Sequence, residues 1–177
     1  MGAVSGDEAA GQLRRWAAAL CATDGGAEQV AAALSLPGTV SRGDVTVDQP
    51  PPGYARMKVG TISKTGAGIY LWPEGLPLTR EVLDAEFGPG RWVPIAPESR
   101  LIPVAYSIEV PGAPAMCTIF ASFERPDAAA VEILLRRDRL YLPHAFVGEG
   151  AQTGAEALLL GRVESARRGV LPAATGC

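Results

Sequence analysis

From Val104 to Leu135 apolar side chains recur at every second position in three successive runs, a pattern that few architectures accommodate. Val104, Tyr106, Ile108 and Val110 form the first set, Cys117, Ile119, Ala121 and Phe123 the second, and Val131, Ile133 and Leu135 the third. A period of two is that of a strand with one face buried. Thr118, Phe120 and Ser122 fall on the opposite face, as do Ser107, Glu109, Glu132 and Arg136. The runs are separated by Pro111-Gly112-Ala113-Pro114 and by a turn beginning at Pro126-Asp127. Connections this short join antiparallel neighbours, because a parallel pair needs a long crossover.

Upstream, Tyr54–Ser63 alternates Ala55, Met57, Val59 and Thr61 against Tyr54, Arg56, Lys58 and Gly60. It is expected to turn through residues 65–68 into a strand at Ile69–Trp72. Asp44–Val47 reads as a short edge strand, and Pro50-Pro51-Pro52 as a stiff extended spacer. Three segments have helical spacing instead. Leu13, Trp16, Ala17, Leu20 and Cys21 form one stripe, with Ser5 and Glu8 in a capping-box pattern before it. Residues 27–36 place Val30, Ala31 and Leu34 on one side. Thr79 starts a third helix, with Leu78 and Leu83 spaced as a hydrophobic staple and Gly88 as its stop.

These elements predict an α+β fold: an antiparallel sheet of about five strands with helices packed on one face. A single domain is expected over residues 1–147. Residues 148–177 read as a C-terminal extension, with a possible amphipathic helix carrying Leu158, Leu159 and Val163. An apolar fraction of 47% supplies a core, and a charged fraction of 20% is below that of disordered chains. The stretch from Leu76 to Gly90, one helix and a turn followed by antiparallel strands, resembles the helix-then-sheet unit of small bacterial envelope modules. Outer-membrane assembly lipoproteins and β-lactamase-inhibitor-like domains are examples. The likeness covers one helix and a turn, and it implies no residue roles.

Lys58 and Lys64 are the only lysines among 16 basic residues. That bias, with the abundant alanine, reads as the coding of a high-GC bacterium, so the many arginines are not by themselves a phosphate-binding signal. A net charge of −3 argues against nucleic acid as a partner. No run of eighteen apolar residues is present, so no membrane span is expected, and the N-terminus carries no signal-peptide pattern. Cys21 and Cys117 both fall on core-facing positions. The first reading is a pair of buried thiols in a cytoplasmic protein. The alternative is a disulfide joining the first helix to the sheet in a secreted mature domain. With no CxxC and no Cys/His cluster, no metal site or cofactor is expected.

His144 is the only histidine, so any histidine-dependent nucleophile system must use it. It reads as a loop residue and a weak catalytic candidate. Glu109 is the other weak candidate, since its strand face is shared with Glu132, the least poor carboxylate pair. The Gly148–Gly154 loop matches neither a dinucleotide fingerprint nor a P-loop. Trp72, Trp92, Tyr106 and Phe120 are expected to line a pocket between the helix at 79–87 and the sheet. Arg136, Arg137 and Arg139 form the densest basic cluster; with Tyr141 nearby it is a candidate binding site for an anionic partner, against a solvated strand end as the default. The function expected is a non-catalytic protein-interaction or assembly module binding another protein or itself. The alternative is a small enzyme or small-molecule binder using that aromatic pocket.

Overall fold

Residues 4–62, 66–94, 100–113 and 116–138 are described by the structure, a computed structural model. Among them are α1 (Gly6–Ala22), α2 (Ala27–Ala33), β1 (Gly38–Ser41), β2 (Asp44–Val47), β3 (Tyr54–Thr61), β4 (Ala67–Pro73), α3 (Arg80–Phe87), β5 (Arg91–Trp92), β6 (Ile102–Ile108), β7 (Met116–Phe123) and β8 (Ala130–Asp138). The strands form one antiparallel sheet in the order β1-β2-β3-β4-β8-β7-β6-β5. Two four-stranded meanders, each entered from a helix, are joined where β4 pairs with β8. The sheet has eight strands rather than about five. The extra strands are short and peripheral. β1 is largely exposed and β5 has two residues, so neither leaves a burial pattern in the sequence.

All three helices lie on one face. Leu13, Trp16, Ala17, Leu20 and Cys21 of α1 are buried against Met57, Val59, Ile69, Leu71, Ile119, Ile133 and Leu135 from the sheet. The α1 stripe is thus the second layer of a two-layer core. Ser5 caps α1 by accepting from the Glu8 amide at 3.2 Å, and Thr79 caps α3 by accepting from the Val82 amide at 3.4 Å. Arg14 links the two helices through the Glu86 carboxylate at 2.5 Å and lies over the Phe87 ring.

Cys21 and Cys117 form a disulfide, with Cα atoms 5.9 Å apart and a sequence separation of 96. The two cysteines are therefore joined as a disulfide rather than held as free buried thiols. Helical spacing puts Cys21, and strand alternation Cys117, on the core side, and α1 packs on β7 where they meet.

Arg137 stands beside this link, in register with Cys117. It is 1% exposed and does not belong to a surface cluster, because adjacent strand residues face opposite ways. Its guanidinium donates to the carbonyls of Leu20, Thr23 and Gly25. Leu20 lies in the last turn of α1 and Thr23 is its C-cap, where carbonyls lack helical partners and the dipole favours a cation, and Gly25 follows in the link to α2. Burial lowers the Arg137 pKa from its ordinary value. No helix among the described residues is long and apolar enough to cross a membrane.

Candidate functional site

The pocket expected between α3 and the sheet does not assemble. Tyr106 pairs with Ile119, and Phe120 with Ala105, so the two rings sit on opposite faces of the sheet. Tyr106 is 2% exposed and packs against Phe87 at a ring-centroid distance of 6.0 Å. Gly90 leaves no spare space there, since a Cβ on it would meet Val104 at 2.4 Å and the Tyr106 ring at 2.6 Å. Burial, and secondarily Asp84, pushes the Tyr106 hydroxyl pKa well above the ordinary tyrosine value. The hydroxyl lies toward Asp84 without a hydrogen bond of normal geometry. Trp92 is 46% exposed at the β5 edge, with the Arg80 guanidinium 4.5 Å from its ring centroid. Trp72 belongs to the helix-free face.

Glu109 and Glu132 are not paired either. Glu132 lies opposite Ser122, which lies opposite Pro103, whereas Glu109 follows the far end of β6. At the strand rise the two rows are about 20 Å apart. His144 and Arg139 lie outside the described residues, as does the expected helix at 156–168.

Trp72 and Phe120 do share a surface, the helix-free face of the sheet. The register builds it row by row. Lys58 pairs with Tyr70, Tyr70 with Leu134, Leu134 with Phe120, and Phe120 with Ala105. One row along, Arg56 pairs with Trp72. Tyr70, Trp72, Phe120 and Leu134 are half-buried, and no helix of the described residues packs over them.

Cations organise the rings at one end of the row. The Arg56 guanidinium lies 3.7 Å from the Trp72 ring centroid, and the Lys58 ammonium 6.0 Å from that of Tyr70. Tyr70 and Trp72 stack at 6.4 Å with planes 17° apart. The result is an Arg56, Trp72, Tyr70, Lys58 ladder in which each cation sits over a ring face, the favourable side of its quadrupole. Two glycines let the side chains lie flat. Tyr70 extends across Gly60, where a Cβ would stand 3.2 Å from the ring. Ile62 and Leu134 close over Gly68, where a Cβ would meet Ile62 at 2.4 Å.

Asp44 anchors the outer end of the ladder. It binds Lys58 at 2.6 Å and accepts from the Thr61 amide at 3.1 Å. The Lys58 hydrogen bond, followed by that of Thr61, holds its pKa below the ordinary aspartate value. Arg136 reaches the same face in the next row, opposite Gly68 and Thr118.

No protein family, characterised protein or solved structure matches this chain. Arg56, Lys58, Tyr70 and Leu134 were not singled out in the sequence. The signal available was strand alternation, which puts Arg56 with Lys58 and Tyr70 with Trp72; the β3–β4 register then brings the two pairs to one face.

Proposed function

We propose that this chain is a non-catalytic protein-interaction module whose partner docks on the helix-free face of the sheet. The observation that carries the reading is the cation and aromatic ladder of Arg56, Trp72, Tyr70 and Lys58, continued by Leu134 and Phe120. Rigid aromatics beside arginine are the side chains enriched where interfaces concentrate binding energy. The occupant that suits them is a protein segment with carboxylates next to apolar side chains. Its charges would meet Arg56, Lys58 and Arg136, and its apolar groups would cover the rings. A nucleic acid suits the surface less well, because a chain of net charge −3 offers little of the broad positive field that phosphate binding uses.

A peptide-display selection against the full chain tests this reading. Acidic peptides with aromatic or aliphatic residues should be enriched and should lose affinity for the Arg56→Glu, Lys58→Glu double variant. The variant must keep the wild-type circular dichroism and melting temperature. Selected peptides that bind the double variant equally well, or sequences enriched without acidic residues, would overturn it.

The disulfide favours an oxidising compartment as the place of action, since cytosolic thiols are kept reduced. Alkylation of unfolded protein isolated from its native host tests this second reading. With the disulfide intact, one of the three cysteines (Cys177) reacts before reduction and all three react after it. Three reactive thiols before reduction would refute it.

A further inference from the structure

The outermost strand, β1, presents a row of backbone groups whose direction follows from its hairpin. Arg42 and Gly43 form a two-residue turn into β2 with φ +54° and +81°, as a type I′ turn requires. Ser41 and Asp44 flank that turn and exchange hydrogen bonds, and bonded pairs alternate along an antiparallel ladder. The bonded pairs are therefore Ser41–Asp44, Thr39–Thr46 and Pro37–Asp48, and the Asp48 amide does donate to the Pro37 carbonyl at 3.1 Å. Gly38 and Val40 lie between them and aim their amides and carbonyls away from β2. No strand of the described residues pairs on that side.

Open edges are usually guarded by lysine, proline, a bulge or a very short strand. The opposite edge, β5, has two residues. β1, Gly38-Thr39-Val40-Ser41, contains no lysine or proline, and its register with β2 is unbroken. Val40 is 52% exposed. It pairs with the buried Val45, so its side chain lies on the helix side of the sheet. There it borders a groove of about 240 Å³ between β1 and α2, lined also by Glu28, Ala31, Ala32, Leu36 and Gly38. Gly38 has to stay bare, since a Cβ on it would meet the Thr46 carbonyl oxygen at 2.4 Å.

The geometry points to β1 as the edge through which two copies of this chain pair, antiparallel about a two-fold axis. One register satisfies the outward groups of both copies. Thr39 faces Thr39 of the second copy, and Gly38 of each copy faces Val40 of the other. Each Gly38–Val40 pair exchanges two hydrogen bonds. Paired residues share a face, so each Val40 side chain sits opposite the bare Gly38 of the other copy, in that copy's groove. The same register sets Arg42 of one copy opposite Leu36 of the other, beside Glu28 on the groove wall. Arg42 and Glu28 are exposed and oppositely charged, so they attract across the contact, twice by symmetry. A second copy thus brings both the valine that fills the groove and the cation that meets Glu28. Four backbone bonds, at about one per 100–200 Å² of interface, correspond to roughly 400–800 Å². Stable interfaces exceed about 1,000 Å², so the dimer is reversible and depends on concentration. The helix-free faces of both copies stay uncovered, and the pairing does not rest on partner docking there.

Sedimentation and amide hydrogen exchange of the full chain, from about 20 μM to about 1 mM, test the pairing over the range where contacts of this size associate. A dimer should form, and the exchange rates of the Gly38 and Val40 amides should fall in proportion to the monomer fraction. Val40→Lys places a charge at the exposed edge position and should abolish the dimer at the wild-type melting temperature. Glu28→Arg or Arg42→Glu alone should weaken it by about two- to thirtyfold, the worth of two exposed ion pairs, and the two together should restore it. Arg56→Glu, Lys58→Glu should leave it unchanged, so failure of the docking face is distinguishable from failure here. A monomer at about 1 mM, a dimer that survives Val40→Lys, or Gly38 and Val40 amides indifferent to concentration would each overturn the proposal. So would a chain that stays monomeric while an extended valine-containing peptide protects those two amides, which would put a foreign strand on this edge.

Discussion

Replacing Cys21 and Cys117 together by alanine should remove a large part of the stability of this chain. The bond closes a loop of separation 96. In the chain-entropy account, a loop of that length restricts the unfolded chain by about 4.7 kcal/mol at 25 °C. Native-state relaxation usually reduces the effect, giving a measured loss of about 2–5 kcal/mol. Against a typical domain stability of about 5–15 kcal/mol, that fraction separates a robust fold from a marginal one. Both cysteines lie in the core, at 0% and 1% exposure, and alanine leaves small gaps that add to the loss. Equilibrium urea unfolding measures it. With a slope of about 2 kcal/mol/M, the midpoint should fall by about 1–2.5 M. Wild-type protein unfolded in reductant should show a similar fall, whereas the double variant should be insensitive to reductant. A loss below about 1 kcal/mol, or a reductant-insensitive wild type, would refute the account of α1 tethered to β7 by this bond.

Arg137→Met should cost about 1–3 kcal/mol, because it leaves buried carbonyls at the end of α1 without their donor. Arg137→Lys should not restore this, since one ammonium lacks the planar fork; denaturant unfolding reads both. Asp44→Asn should weaken the acid dependence of stability. The folded-state pKa of Asp44 is depressed, so its contribution is present above its unfolded value near 3.8 and is lost as pH falls through the lower folded value. Wild-type and variant stabilities should therefore converge in acid, as melting curves at neutral pH and at pH 3 will show. Gly53→Ala should lower stability by more than about 1 kcal/mol. It combines φ +88° with a Cβ 2.4 Å from Leu76, and thermal unfolding against wild type measures it.

The candidate site was less legible than the fold. Trp72 and Phe120 were assigned to one pocket with Tyr106, which the sheet holds on its other side. Spacing within a strand gives each residue's parity. Which parities coincide across strands depends on register, and register is set by turns and bulges. The same gap misplaced Tyr54, whose bulge reverses its face, and led Glu109 and Glu132 to be treated as neighbours. Arg137 was read as part of a solvated strand end because a charged residue is seldom fully buried. Only the arrival of the α1 terminus at that point of the sheet supplies the carbonyls that make its burial tolerable.

Local periodicity by itself determined the antiparallel strands from β6 to β8, the apolar stripe of α1, the caps of α1 and α3, and the core-facing sides of Cys21 and Cys117. Each depends on residues a few positions apart, whose spacing dictates which side chains share a face. Tertiary structure alone decided that two meanders join through β4 and β8, that the two cysteines meet, and that Arg56, Trp72, Tyr70 and Lys58 form one ladder. Those outcomes depend on contacts between residues far apart in the chain, made when the helices bury one side of the sheet.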